Sequence, residues 1–153
     1  MRILSFSDIH FLHQRTPTQH IVDNFIHYLS QYDNVPVDML VIGGDVFERD
    51  VPFNDPDVTK VFGWIFEVAL WCAKKGTYLR ILEGTPSHDA FQAKHFGEII
   101  GNAKIPVNYA YIDTVTVEKI PELDISILYV NDEYHPDTNV TLSDVKDRMK
   151  EAG

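Results

Sequence analysis

The feature that most constrains this chain is a pattern met three times, a short apolar run that stops abruptly at carboxylate and imidazole residues. Ile3, Leu4 and Phe6 lead into Asp8-x-His10, and Met39-Leu40-Val41-Ile42 lead into Gly43-Gly44-Asp45. Residues Thr77 to Leu82 lead into Glu83-Gly84-Thr85-Pro86-Ser87-His88-Asp89. Short apolar runs bounded by turn residues read as buried strands. The stretches between them carry apolar residues at helical spacing. Ile21, Val22, Phe25, Ile26, Tyr28 and Leu29 follow Thr18, a candidate cap, with His20 and His27 expected on the solvated side. A longer helix is predicted from Asp57 to Lys75, apolar nearly all round and closed by Gly76; such a helix is buried between layers or set against a partner. Strand–helix repeats of this kind predict an α/β fold with a parallel sheet, whose site lies outside the carboxyl ends of the strands. Asp8, His10, Asp45, His88 and Asp89 are expected to converge there.

The last third reads differently. Phe91 to Ala103 reads as a helix interrupted by Gly97 and Gly101, and it leads to Val107 through Tyr111. Thr114 to Glu118 and Ile125 to Val130 predict an antiparallel hairpin around Pro121. A loop from Asn131 to Asp137 follows, then a helix opened by Thr141-x-x-Asp144. His135 beside Asp132 is either a further ligand cluster or a structural or exposed loop histidine.

The residue types at the strand ends set the chemistry. Alternate residues of a strand point to one side, so Asp8 and His10 reach one cation if the extended backbone persists. An oxygen and an imidazole suit manganese, iron or zinc better than calcium. Gly43 and Gly44 allow a sharp turn and close approach to a ligand, although Asp45 also reads as a simple turn residue. With 153 residues the chain is one domain by length, and a net charge of -10 excludes a broad basic face for nucleic acid and argues against membrane surfaces. A nucleic-acid substrate would need a local groove, a metal or a partner. The single Cys72 excludes an internal disulfide and a cysteine zinc cluster, and reads as a core residue in a reducing compartment. No leader-like apolar region or bilayer-length run is seen, which predicts a cytoplasmic protein.

The ordered set Ser7-Asp8-Ile9-His10, Gly44-Asp45-Val46-Phe47-Glu48-Arg49 and Gly84 to His88-Asp89 resembles the calcineurin-like metallophosphoesterases, whose signature runs D-x-H, G-D, G-N-H-D. Within that superfamily the Gly44 to Arg49 segment and the run Ile127 to Asp137 look most like SbcD-type DNA repair nucleases, especially bacteriophage versions. The resemblance covers the chain as the amino-terminal part of the family domain, a layered α/β sandwich. It implies that Asp8 and His10 bind a first metal and that Asp45 bridges two. It makes His88 the acid or the substrate-orienting group, with Asp89 holding its ring. Two divalent ions are implied, manganese first, with iron, zinc or magnesium as alternatives, and two such ions clamp the attacking and leaving oxygens of a phosphodiester. DNA is the implied substrate, and a homodimer with an SbcC-type ATPase the implied assembly, the helix around Trp64 and Trp71 offering a dimer surface. Arg49 is either a bidentate phosphate contact or a surface ion pair with Glu48 or Asp50.

Two departures from the pattern stand out. The third segment is two residues longer than G-N-H-D and has Ser87 where the family has its ligand Asn. The family's later His and its G-H-x-H turn have no counterpart in the 153 residues. The remaining ligands are then expected from another half or another chain; otherwise the chain is a non-catalytic binding or regulatory subunit. A small-molecule phosphodiesterase shares the chemistry but needs a closed pocket. No glycine-rich phosphate loop supports a nucleotide-binding α/β domain.

Overall fold

The computed structural model describes residues 1–131 and 142–152. The expected α/β class is the fold observed. Strands β1 (Ile3–Phe6), β2 (Met39–Ile42), β3 (Tyr78–Leu82) and β4 (Tyr109–Ile112) form a parallel sheet in sequential order. Ile3 pairs with Met39, Met39 with Tyr78, and Leu79 with Tyr109. Helices α1 (Thr18–Ser30), α2 (Val58–Lys75) and α3 (His95–Asn102) make the crossovers. Sequential addition with right-handed crossovers places all three on one face, and α2 packs between α1 and α3. Strands β5 (Thr116–Ile120) and β6 (Ile125–Tyr129) form the expected antiparallel pair, and α4 (Leu142–Ala152) packs on it.

The main core lies between the sheet and the helices. Leu40, Ile42, Leu79 and Ile81 meet Phe25, Val61, Trp64, Ile65 and Val68 there. Trp64 is fully buried, edge-on to Phe11 and Phe25 with ring centroids 4.8 and 5.2 Å away. Cys72 is buried as expected, and burial pushes its thiol up to about 12. A smaller cluster, Leu82, Ile112 and Tyr129, joins the opposite face of the sheet to the hairpin. Arg80 crosses that interface at 2% exposure, with Nε and Nη2 on the Glu118 carboxylate at 2.8 and 2.6 Å.

Several expectations are corrected. Thr18 is the first residue of α1 rather than its cap; Pro17 holds the cap position, and the helix has no side-chain cap. The predicted helix from Phe91 starts only at His95, after a 3-10 turn at Gln92–Lys94, because Phe91 is left-handed with φ 61°. Segment 107–111 delivers a fourth parallel strand. Trp64 and Trp71 do not form an exposed face of α2. Trp64 is core, and Trp71 Nε1 donates to Asp33 Oδ1 at 2.8 Å across the α1–α2 contact. The face of α2 left in solvent carries Phe62, Phe66 and Leu70 instead, 36%, 40% and 44% exposed. The Asp132–His135 cluster and the Thr141 cap lie outside the described residues. Among those residues no helix is long and apolar enough to cross a membrane.

Candidate functional site

The polar segments that follow β1, β2 and β3 meet at one end of the sheet. The first two run side by side beyond their strands. Asp8 N donates to Gly44 O (3.2 Å), His10 N to Asp45 O (3.1 Å) and Phe11 N to Val46 O (2.8 Å), and Glu48 N donates back to Phe11 O (2.9 Å). Phe11 and Phe47, both buried, anchor this ribbon in the core. The extended geometry expected for Asp8-x-His10 does not persist. Asp8, His10 and Asp45 adopt left-handed backbone with φ of 54°, 51° and 50°. Such values are uncommon outside glycine and are held only where surrounding bonds determine them. The turn still leaves Asp8 Oδ1 3.8 Å from His10 Nε2.

The third segment is locked to the second by backbone contact. A Cβ on Gly84 would strike Asp45 N and Asp45 Oδ1, and one on Gly44, at φ 95°, would sit 2.8 Å from Gly84 Cα. Thr85 then grips Asp45, its N–H and hydroxyl donating to Oδ1 at 2.7 and 3.1 Å and leaving Oδ2 unused by that clamp. Asp89 is fully buried and spans both segments, Oδ1 accepting from Phe47 N (3.0 Å) and Oδ2 from Gly84 N (2.9 Å). Burial raises its carboxyl to about 6 against the pull of those two N–H groups, and the charges of Glu83 and Asp45 add to the rise.

Asp89 therefore does not hold the His88 ring, the role the resemblance gave it. His88 Nδ1 lies 2.9 Å from Glu48 O instead. A carbonyl only accepts, so Nδ1 carries a proton and Nε2 is the ring nitrogen left to face the site. Glu48 also brings its carboxylate inward, Oε2 lying 2.9 Å from His10 Nδ1 without the in-line geometry of a hydrogen bond. The His10 and His88 rings stand edge to face at 4.9 Å.

Two overlapping triads result, Asp8–His10–Asp45 and His10–Glu48–His88, each with ligand-type atoms within 4.8 Å of one another. Four of these five residues are expected from the sequence. Glu48 and the clamp Thr85 are not, although a carboxylate three residues after Asp45 was a visible signal. Ser87 is exposed, its Oγ 3.4 Å from Thr85 Oγ1. Arg49 is half-exposed and pairs with Asp55 Oδ2 at 3.2 Å, rather than with the Glu48 or Asp50 carboxylate. Mixed imidazole and carboxylate donors at this spacing match the ligand chemistry of manganese, iron or zinc. Neither a scan against protein-family models nor a search of curated proteins found a match for this chain.

Proposed function

We propose that this chain is a metal-dependent phosphoesterase domain acting on phosphodiester bonds, of the SbcD nuclease type within the calcineurin-like metallophosphoesterases, with DNA as substrate. The observation that carries the reading is the convergence of Asp8, His10, Asp45, Glu48 and His88 from three separate strand ends into two triads that share His10. The donor set fits two divalent ions, manganese for preference, with Asp8, His10 and Asp45 placed to hold one and Glu48, beside His10, placed for the second. Divalent ions bound there supply Lewis acidity toward a phosphoryl oxygen and a more acidic water. The chain's own work is positional. Thr85 fixes the Asp45 carboxylate, the Glu48 carbonyl orients the His88 ring, and His88 Nε2, left to face the site, is placed to pass a proton to a leaving oxygen.

The Asp8 side chain is 68% exposed, which favours an open groove over the closed pocket that a small-molecule phosphodiesterase needs. The apolar face of α2 supports a homodimer, an SbcC-type ATPase is the proposed further partner, and the buried free Cys72 supports a reducing cytoplasm. The test is bound metal by elemental analysis together with hydrolysis of bis(p-nitrophenyl) phosphate in manganese. Asp45→Asn should cut turnover by ~100-fold or more, in the range lost when electrostatic stabilisation is removed. A chain with neither metal nor activity would overturn the enzyme reading and leave the binding-subunit alternative.

A further inference from the structure

Glu83 stands one residue past β3 and still belongs to the sheet, its N–H donating to Ile112 O at 2.8 Å. The residue is 1% exposed, and Asp89, fully buried, lies within reach of its charge. Two neighbouring carboxylates in the interior are a costly arrangement, and an apolar side chain would fill the position without that cost. What the carboxylate adds is a pair of acceptors pointing at two different elements. Oε2 accepts from the Tyr111 hydroxyl on β4 at 2.5 Å, and Oε1 accepts from Phe91 N at 2.6 Å. The second of these bonds lands on the turn that follows His88 and Asp89. There Ala90 and Phe91 are consecutive non-glycine residues in left-handed backbone, with φ of 45° and 61°. Such residues persist where surrounding contacts over-determine them, and they gather at functional sites.

The Glu83 side chain thus ties together the two ends of the loop 83–91. Inside that closed loop, His88 N and Asp89 N both donate to Thr85 O, at 3.0 and 2.9 Å, and Thr85 is itself anchored on Asp45. His88 is carried on the short run between those two anchors, and its ring partner, Glu48 O at 2.9 Å, belongs to the segment after β2. The ring reaches that carbonyl only while the loop is held at both ends. We infer that Glu83, backed by Tyr111, is a positioning residue for His88: its carboxylate holds the left-handed turn at Ala90 and Phe91, and through the turn it keeps His88 Nδ1 on Glu48 O with Nε2 toward the centre. Groups that orient a functional imidazole through a second layer of hydrogen bonds are a recurrent device. The consequence for proton transfer rests on the phosphoesterase reading; the positioning does not.

The test has two arms. In the first, ring ¹⁵N resonances of His88 are read in the metal-free full chain at a pH about two units above the usual imidazole value, where the ring is neutral. The native chain should show the proton on Nδ1. Glu83→Ala should replace that signal with the mixture of tautomers of an unconstrained ring, and Glu83→Gln, which keeps an acceptor for Phe91 N, should restore it. Where Glu83→Ala fails to fold, Tyr111→Phe takes its place and should move the same signal in the same direction. A His88 tautomer unchanged in the folded variant, or altered as much by Gln as by Ala, would overturn the positioning role. This arm uses neither metal nor turnover, so it decides the inference whether or not the chain proves to be an enzyme. In the second arm, with manganese, turnover of bis(p-nitrophenyl) phosphate, whose leaving group departs without a proton, is compared with that of a thymidine dinucleotide, whose alkoxide needs one. The variant should lose ~10-fold more in kcat on the dinucleotide than on the aryl ester, since a misplaced acid costs only the leaving group that requires it. Equal losses on both substrates would overturn the link from Glu83 to proton transfer.

Discussion

Asp89 shows how a residue's neighbours can reverse its expected part. Its carboxylate ties the backbone of the second segment to that of the third while paying a desolvation cost for its charge. The folded-state value of about 6 lies above the ordinary 3.8, so between those limits the folded chain holds more protons than the unfolded one. Stability from this group therefore rises as pH falls from about 6 toward 4 and is lost as pH rises through that window. With ~1.4 kcal/mol per pKa unit, the swing amounts to at most ~3 kcal/mol. Urea unfolding at pH 7 and pH 4 should show the native chain gaining on Asp89→Asn by an amount of that order; parallel behaviour of the two chains would remove the buried charge from the account. At this scale the sequence was half legible. Residue types at strand ends named Asp8, His10, Asp45 and His88, but the partners of Asp89 and the inward turn of Glu48 depend on left-handed backbone at three non-glycine positions, which no local propensity signals.

Among the elements, the short apolar runs and the αL glycine after α2 read directly, because burial and helix termination are local demands. The 3-10 turn did not, because its cause is tertiary. Gln92, at its start, cross-braces the second and third segments. Its Oε1 accepts from Val51 N at 2.7 Å, while Nε2 donates to Asp89 O at 3.1 Å and Arg49 O at 3.2 Å. Gln92→Ala removes these three bonds, and a longer one to His88 O at 3.5 Å, so at ~1 kcal/mol for each of the shorter ones a loss of ~2–3 kcal/mol is expected. If the brace also holds His88 against Glu48, calorimetric affinity for manganese should drop at least fivefold in that variant. An unchanged affinity alongside the stability loss would reduce Gln92 to packing.

For the molecule as a whole, the solvent face of α2 runs into Phe53, 88% exposed, beside a groove whose lining includes Phe62 and Phe91. Contiguous exposed apolar surface of this kind marks an interaction site, and a twofold pairing would hide it on both copies at once. Sedimentation should show a dimer that Phe62→Ser with Phe66→Ser converts to monomer, whereas a native chain monomeric at all concentrations would end that proposal. The parallel sheet carries a different consequence, one of timing. A parallel pair cannot close through a tight hairpin, and of the three segments that meet at the strand ends the second and third arrive only after the crossovers through α1 and α2 have docked. Pairings between residues so distant along the chain form late and slowly. In refolding, ion capture would then trail the return of helical signal, and the centre would act as a clock that starts only when the sheet is complete.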